Sequence, residues 1–163
     1  MEHIADLALE ILKDGLAAEL AEVDTRANEI HLGITGREMT LATPAIPAGN
    51  YYSYNMDIKP KFPACIVFLR RDSVADDQTD LDELKVDLEI EFYVTGPTQE
   101  NLGRLVARYA RAARRVLRDP AKWSPYAFDP QIGAAFYSNV VQDEGGLVRA
   151  CRLTVSVGVL EVY

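Results

Sequence analysis

The sequence predicts an α+β fold, a mostly antiparallel sheet with an N-terminal helix and one long amphipathic helix packed on one face. Three observations predict it. In Lys85-Val86-Asp87-Leu88-Glu89-Ile90-Glu91-Phe92-Tyr93-Val94 the even positions are apolar and most odd ones charged, the period-two signature of a half-buried strand. Leu102, Leu105, Val106, Tyr109, Ala112, Ala113, Val116 and Leu117 then recur at steps of three and four and share one helical face. Near the end, Cys151, Leu153, Val155, Val157 and Val159 alternate with Arg152, Thr154, Ser156 and Gly158, a second half-buried strand.

The elements follow in chain order. Ile4, Leu7, Ala8 and Ile11 form a helical stripe, and Leu16, Leu20 and Val23 continue it. Between them Lys13-Asp14-Gly15 reads as a stop or kink, so one broken helix is expected over residues 2–23. Glu29-Ile30-His31-Leu32-Gly33-Ile34 alternates like a short strand, and residues 39–43 suit another. Pro44, Pro47 and Gly49 punctuate a surface segment, followed by the aromatic cluster Tyr51, Tyr52 and Tyr54. Such tyrosines either cover the edge of the protein's own core or offer rigid rings to a partner.

Phe62-Pro63-Ala64-Cys65-Ile66-Val67-Phe68-Leu69 is almost continuously apolar, as a strand in the middle of a sheet would be, with Pro63 at its start where a missing donor is tolerated. An acidic connection over residues 70–83 leads into the alternating strand, which ends at Thr95-Gly96-Pro97. Thr98 and Asn101 open the long helix and Asp119-Pro120 closes it. An irregular aromatic link with Trp123, Tyr126 and Phe128 precedes a strand over residues 134–141, and Asp143-Glu144-Gly145-Gly146 turns a hairpin into the last strand.

The chain has 163 residues, 48% of them hydrophobic, enough for one domain over residues 1–163 with a sizeable core. No apolar run reaches the roughly 18 residues of a membrane span, and the acidic start lacks the basic opening of a secretory signal. These features imply a protein made in the cytosol, with no membrane partner. Cys65 and Cys151, both inside apolar strand patterns, read as buried thiols rather than a disulfide. A net charge of −8 disfavours general nucleic-acid binding.

The charged residues are the main candidates for function. Arg104, Arg108, Arg111, Arg115 and Arg118 fall on the helix face opposite its apolar one. A charge run is commonly a solvated surface. Like charges three or four apart, however, cost an isolated helix about 0.2–0.5 kcal/mol per pair. Acids from elsewhere are therefore expected to neutralise them. With the apolar helix face laid on the sheet, the arginines are expected on one flank and Glu89 and Glu91 on the other. The two signs would then meet between copies placed head to tail, a heterologous contact that closes into rings when the rotation permits.

A search for chemistry yields little. His3 and His31 have no neighbouring nucleophile, and the glycines around Gly33 and Gly36 match no phosphate-binding fingerprint. Asp76, Asp80 and Asp82 lack the spacing and mid-loop glycine of a calcium loop. The sharpest enzymatic alternative is Asp72 with Glu83-Leu84-Lys85, which resembles the metal-dependent nucleases of the restriction-endonuclease type. Glu-x-Lys arises readily in any charged strand, and Asp87, Glu89 and Glu91 on the same face would repel a DNA backbone.

From residue 60 onward the order of features resembles the tail terminator, or tail completion, proteins of long-tailed phages and prophages. The likeness is carried by Phe62-Pro63-Ala64-Cys65-Ile66-Val67, the acidic connection, the strand ending in Val94-Thr95-Gly96-Pro97, the helix running into Arg118-Asp119-Pro120, and the last strand. The resemblance implies a virion protein, assembled in the bacterial host cytoplasm, that forms a homo-hexameric ring. The ring would cap the tail tube protein and offer a surface to the head-completion or neck proteins. It implies no catalytic activity, cofactor or metal, and DNA that passes through without specific binding. Arg104, Arg108, Arg111, Arg115, Glu89 and Glu91 become candidate subunit or tube contacts, and Tyr51, Tyr52 and Tyr54 candidate contacts with the next ring. Another neck or head-tail joining adaptor remains the neighbouring alternative.

Overall fold

A computed structural model describes residues 2–53, 60–74 and 82–161, leaving aside the side chains of residues 72–74, 82, 83 and 161. Its order is α1 (Glu2–Thr35), a short 3-10 turn (Ala48–Asn50), β1 (Tyr51–Ser53), β2 (Ala64–Val74), β3 (Asp82–Gly96), α2 (Gln99–Leu117), α3 (Pro120–Trp123), β4 (Phe128–Tyr137), β5 (Val141–Asp143) and β6 (Gly146–Glu161). The sheet runs β1-β2-β3-β6-β4, with β5 paired to β6 beyond the end of β4. β1 lies parallel to β2, and the other pairings are antiparallel. This is the predicted α+β class.

Alternation in β3 and β6 does what the period requires. Val86, Leu88, Ile90 and Phe92 of β3 stand beside Val157, Val155, Leu153 and Cys151 of β6, and all eight are withdrawn from solvent. α1 and α2 cover this face, contributing Leu12, Leu16, Leu20, Leu102, Tyr109 and Val116 to a single core. The Phe92 and Tyr109 rings stack with centroids 5.6 Å apart, fixing α2 over the middle of the sheet. Thr98 caps α2 by accepting from the Asn101 backbone N–H at 3.3 Å, as its position predicts. Asp119 ends α2 and caps the short α3, whose Trp123 is fully buried and donates from Nε1 to the Leu117 carbonyl at 2.8 Å.

Three expectations are corrected. α1 does not break at Gly15. It continues for 34 residues, about 51 Å at the helical rise per residue. A Cβ at Gly15 would lie 3.0 Å from Val116 Cγ1, so the glycine lets α1 approach α2 closely rather than ending the helix. Residues 29–34 are not a strand but the last turns of the same helix, and residues 39–43 form no ladder. A six-residue alternation fits an exposed helix end as well as a strand, and nothing local separates the two. The strand expected over residues 134–141 begins earlier, at Phe128, and stops at Tyr137 before the separate β5. Irregular register against β6 between Phe128 and Gln131, and again between Ile132 and Ala135, blurs its period.

Candidate functional site

The arginine face of α2 does not look outward as a unit, because the long α1 runs beside it. Arg108 is only 6% exposed. Its Nη1 donates to Asp24 Oδ1 at 2.8 Å and to the Leu41 carbonyl at 2.6 Å, and its Nη2 to Asn28 Oδ1 at 2.7 Å. Asp24 also accepts from the Thr43 backbone N–H at 2.7 Å and from the Thr43 hydroxyl at 2.6 Å. This node clamps the irregular segment after α1 onto both helices. The Tyr109 hydroxyl adds a hydrogen bond to the Pro44 carbonyl. Arg108 is thus a buried strut and does not face solvent as the helix spacing predicts.

The other arginines divide. Arg115 pairs with Glu19 at 3.0 Å and Glu22 at 3.2 Å on α1, and Arg104 with Glu100 one turn earlier at 2.7 Å. Glu19 Oε2 makes this pair by proximity alone, without hydrogen-bond geometry. Arg114, absent from the predicted face, donates to the Gly133 carbonyl of β4 at 3.2 Å. Arg111 and Arg118 remain exposed, with no acidic partner among the described residues. A groove between α1 and α2 is lined by these cations together with His31, Met39 and Tyr137.

Glu89 and Glu91 lie on the sheet face that no helix covers among the described residues, and they too are neutralised within the chain. Arg152 of β6, opposite Glu91 in the register, donates to Glu91 Oε1 at 2.7 Å and lies 3.0 Å from Glu89 Oε1. The Tyr93 hydroxyl binds the other Glu91 oxygen, and Glu91 is buried under this cover. Arg70 of β2 approaches Glu89 at 3.8 Å. Burial first, and then the hydrogen bond to Glu91, push the Tyr93 phenol well above its ordinary range. The premise that acids and arginines can meet only between copies is therefore overturned, since α1 supplies the acids for one set and β6 the arginine for the other. Nothing in the spacing marks Asp24 or Asn28 as partners of α2. For Arg152 the signal was present, because its strand alternates out of phase with the core as Glu91's does.

Tyr51 and Tyr52 belong to β1, paired with Cys65 and Ile66 of β2. Tyr51 packs against the core, and burial pushes its phenol up. The Tyr52 hydroxyl accepts from the Lys61 backbone N–H at 3.2 Å. Tyr54 lies outside the described residues, as do Asp76 and Asp80. For the nuclease-like set, Lys85 is exposed on β3, whereas the side chains of Asp72 and Glu83 are outside the described residues. Asp87, on the same sheet face, is taken up by a hydrogen bond from Ser156. Among the described residues no cluster of three or more His, Cys, Asp or Glu could hold a metal, and no helix is long and apolar enough to cross a membrane.

Cys65 and Cys151 are free and buried. They flank Phe92 on the two neighbouring strands, two inter-strand spacings apart, about 10 Å. A disulfide needs Cα atoms within about 7 Å, so the pair is not joined. Burial pushes the Cys151 thiol up to about 12 and the Cys65 thiol well above its ordinary value.

Besides Tyr126 and Leu160, exposed large apolar side chains among the described residues gather in two places. Ile30 and Ile34 sit one turn apart at the end of α1, with Ile34 79% exposed. Phe136, Tyr137 and Val141, where β4 gives way to β5, are 63%, 45% and 60% exposed. Phe136 and Val141 border a groove that also contains Phe62, Tyr93 and Arg152, while Tyr137 turns to the opposite face beside the α2 arginines.

The fold and these surfaces define a two-layer α+β protein in which, among the described residues, no helix covers the second face of the sheet. No protein-family model matches the chain, and no curated protein matches it. Among solved structures it is similar to a chain of the virion of a native gene transfer agent particle. That likeness has 13% identity and a TM-score of 0.32, covers 92% of this chain and 95% of the other, and is too slight to bear on fold or function.

Proposed function

We propose that this chain is a structural subunit of a phage-type virion, a ring-forming tail terminator or tail completion protein. Six copies cap the tail tube and present a surface to the head-completion or neck protein, in a tail assembled in the host cytoplasm. The role requires no catalysis and no cofactor, and DNA passes through without specific binding. The observation that carries the reading is the frame made by the segments bearing the resemblance. β2, β3 and β6 lie side by side with α2 across them, and the elements around this frame, α1, β4 and β5, carry exposed apolar side chains. Exposed apolar groups gathered in this way suit association. Of the candidate contacts, Arg111 retains free charge for a partner, as does the neighbouring Arg118, while Arg104, Arg115, Glu89 and Glu91 would have to exchange the partners they already hold. Deleting the gene from the phage or prophage that carries it tests the proposal by electron microscopy of the lysate. Overlong tails detached from heads are expected, and tails of normal length on infectious particles would refute it.

A further inference from the structure

We infer that the arginine groove along the outer side of α2 receives the acidic connection between β2 and β3 of a second copy of this chain. The inference rests on the ring reading for its choice of a second copy, and it names the surfaces and charges that meet.

The groove carries positive charge that the chain leaves uncompensated. Among the described residues no carboxylate lines it. Arg111 and Arg118 are exposed and have no acidic partner there, and Arg114 is tied only to the Gly133 carbonyl at 3.2 Å. Arg149 of β6 reaches the same side, where a Cβ at Gly103 of α2 would lie 2.9 Å from its Nη1. It donates from Nε to the Ser138 carbonyl at 3.0 Å and stands over the Tyr137 ring, 6.0 Å from the centroid. A carbonyl or a ring orients a guanidinium without cancelling its charge.

Tyr137, opposite Cys151 in the register, adds a hydroxyl with no hydrogen-bond partner among the described residues. Burial, and then Cys151, push its phenol up, so the hydroxyl stays a donor. Arg114, Arg149 and Arg111 pull the other way, because all three lie near the ring. Guanidinium forks and a phenol are suited to carboxylates.

Acids stand only at the margins. Glu100 is paired with Arg104, and Glu19 and Glu22 with Arg115, while Glu29 shares a neighbouring hollow with Arg26 and Arg111. A nucleic-acid duplex, with one charge per about 1.7 Å, would run past these margins onto a chain of net charge −8. A short acidic segment fits between them.

The chain carries such a segment. Asp76, Asp77 and Asp80 fall in the connection between Val74 and Asp82, with no basic residue among them. The connection cannot serve its own copy. Tyr137 is level with Phe92 through Cys151, about 33 Å along β3 from Asp82 at the strand rise. Residues 75–81, fastened at both ends, extend no more than about 14 Å from their anchors. Groove and connection are different surfaces, so their contact is heterologous and repeats from copy to copy.

Sedimentation velocity on the full chain at low salt tests this, with charges reversed on either side. One variant carries Arg111→Glu and Arg118→Glu, the other Asp76→Lys, Asp77→Lys and Asp80→Lys, and circular dichroism checks that both are folded. The parent should associate, and each variant alone should associate about tenfold more weakly or worse. An equimolar mixture should recover the parent's association, because acid meets arginine at one junction and lysine meets glutamate at the next. A mixture that recovers nothing, variants that assemble like the parent, or a parent still monomeric at about 100 μM would each overturn the inference. The ring reading would then still answer to its own deletion phenotype. A second measurement needs no change to the connection. A labelled peptide of residues 72–83 should bind the parent, about tenfold more tightly than it binds the groove variant and more tightly than a short single-stranded DNA binds the parent. Tighter binding of the DNA would assign the groove to nucleic acid, and no peptide binding below about 1 mM would leave it without this occupant; either result overturns the inference.

Discussion

Arg108 of α2 donates to the Asp24 carboxylate of α1 across 2.8 Å, joining residues 84 positions apart, and Asn28, Leu41 and Thr43 complete the hydrogen bonding around the two. A buried ion pair is not a large source of net stability, since desolvation offsets much of the attraction, but removing one member strands the other.

Arg108→Ala or Asp24→Ala should therefore destabilise the fold by about 3–5 kcal/mol. Arg115→Ala, which breaks an exposed pair on the same two helices, should cost no more than about 1 kcal/mol. Urea unfolding followed by circular dichroism measures both. Equal effects would mean that the node has no special weight.

Arg111→Glu combined with Arg118→Glu should leave the unfolding midpoint close to that of the parent, within about 0.5 kcal/mol, because both side chains stand in solvent without acidic partners among the described residues. Arg108→Glu should not be tolerated, since it would place two carboxylates together in a buried site. A thermal melt separates the cases, and a folded Arg108→Glu would contradict the assignment of that residue as a strut.

Gly158 lies against the Phe128 ring, where an added Cβ would overlap the aromatic carbons. Gly158→Ala should cost about 1–3 kcal/mol by overpacking. Adding Phe128→Leu should return part of that loss, so the pair should be non-additive. Strict additivity in denaturant titrations would show that the two side chains do not compete for the same space.

Alkali should destabilise the protein. Cys151 ionises at 9.0 without perturbation and is pushed up to about 12 by burial, and Cys65, Tyr51, Tyr93 and Tyr109 are displaced in the same direction, chiefly by desolvation. Their contribution is whole below about pH 9. It falls as pH rises toward 12, because the unfolded chain releases these protons first. Tyrosinate absorbance should lag for the buried phenols and then rise together with loss of the circular dichroism signal. Ordinary titration of every tyrosine while the fold persists would contradict their burial.

Much of this fold can be read from local pattern and part of it cannot, for physical reasons. β3, β6 and α2 each bury one face, so the period of their apolar residues is imposed by packing and survives in the sequence. The end of α1 buries little, and its six-residue alternation contains nothing to distinguish strand from helix. Gly15 looked like a terminator because its purpose lies in another helix, at Val116. The same holds for the charges. The arginine face is visible in the spacing, but whether an arginine is free depends on α1 running alongside, as Asp24 and Glu19 show. Glu91 and Arg152 could be matched only once β3 and β6 were known to be neighbours.

The two thiols on either side of Phe92 have a practical bearing. They are shielded from solvent and too far apart to bond to each other, and burial keeps them in the unreactive protonated form. Passage of the chain from a reducing to an oxidising medium therefore leaves these two cysteines as free thiols, with no bond formed between them.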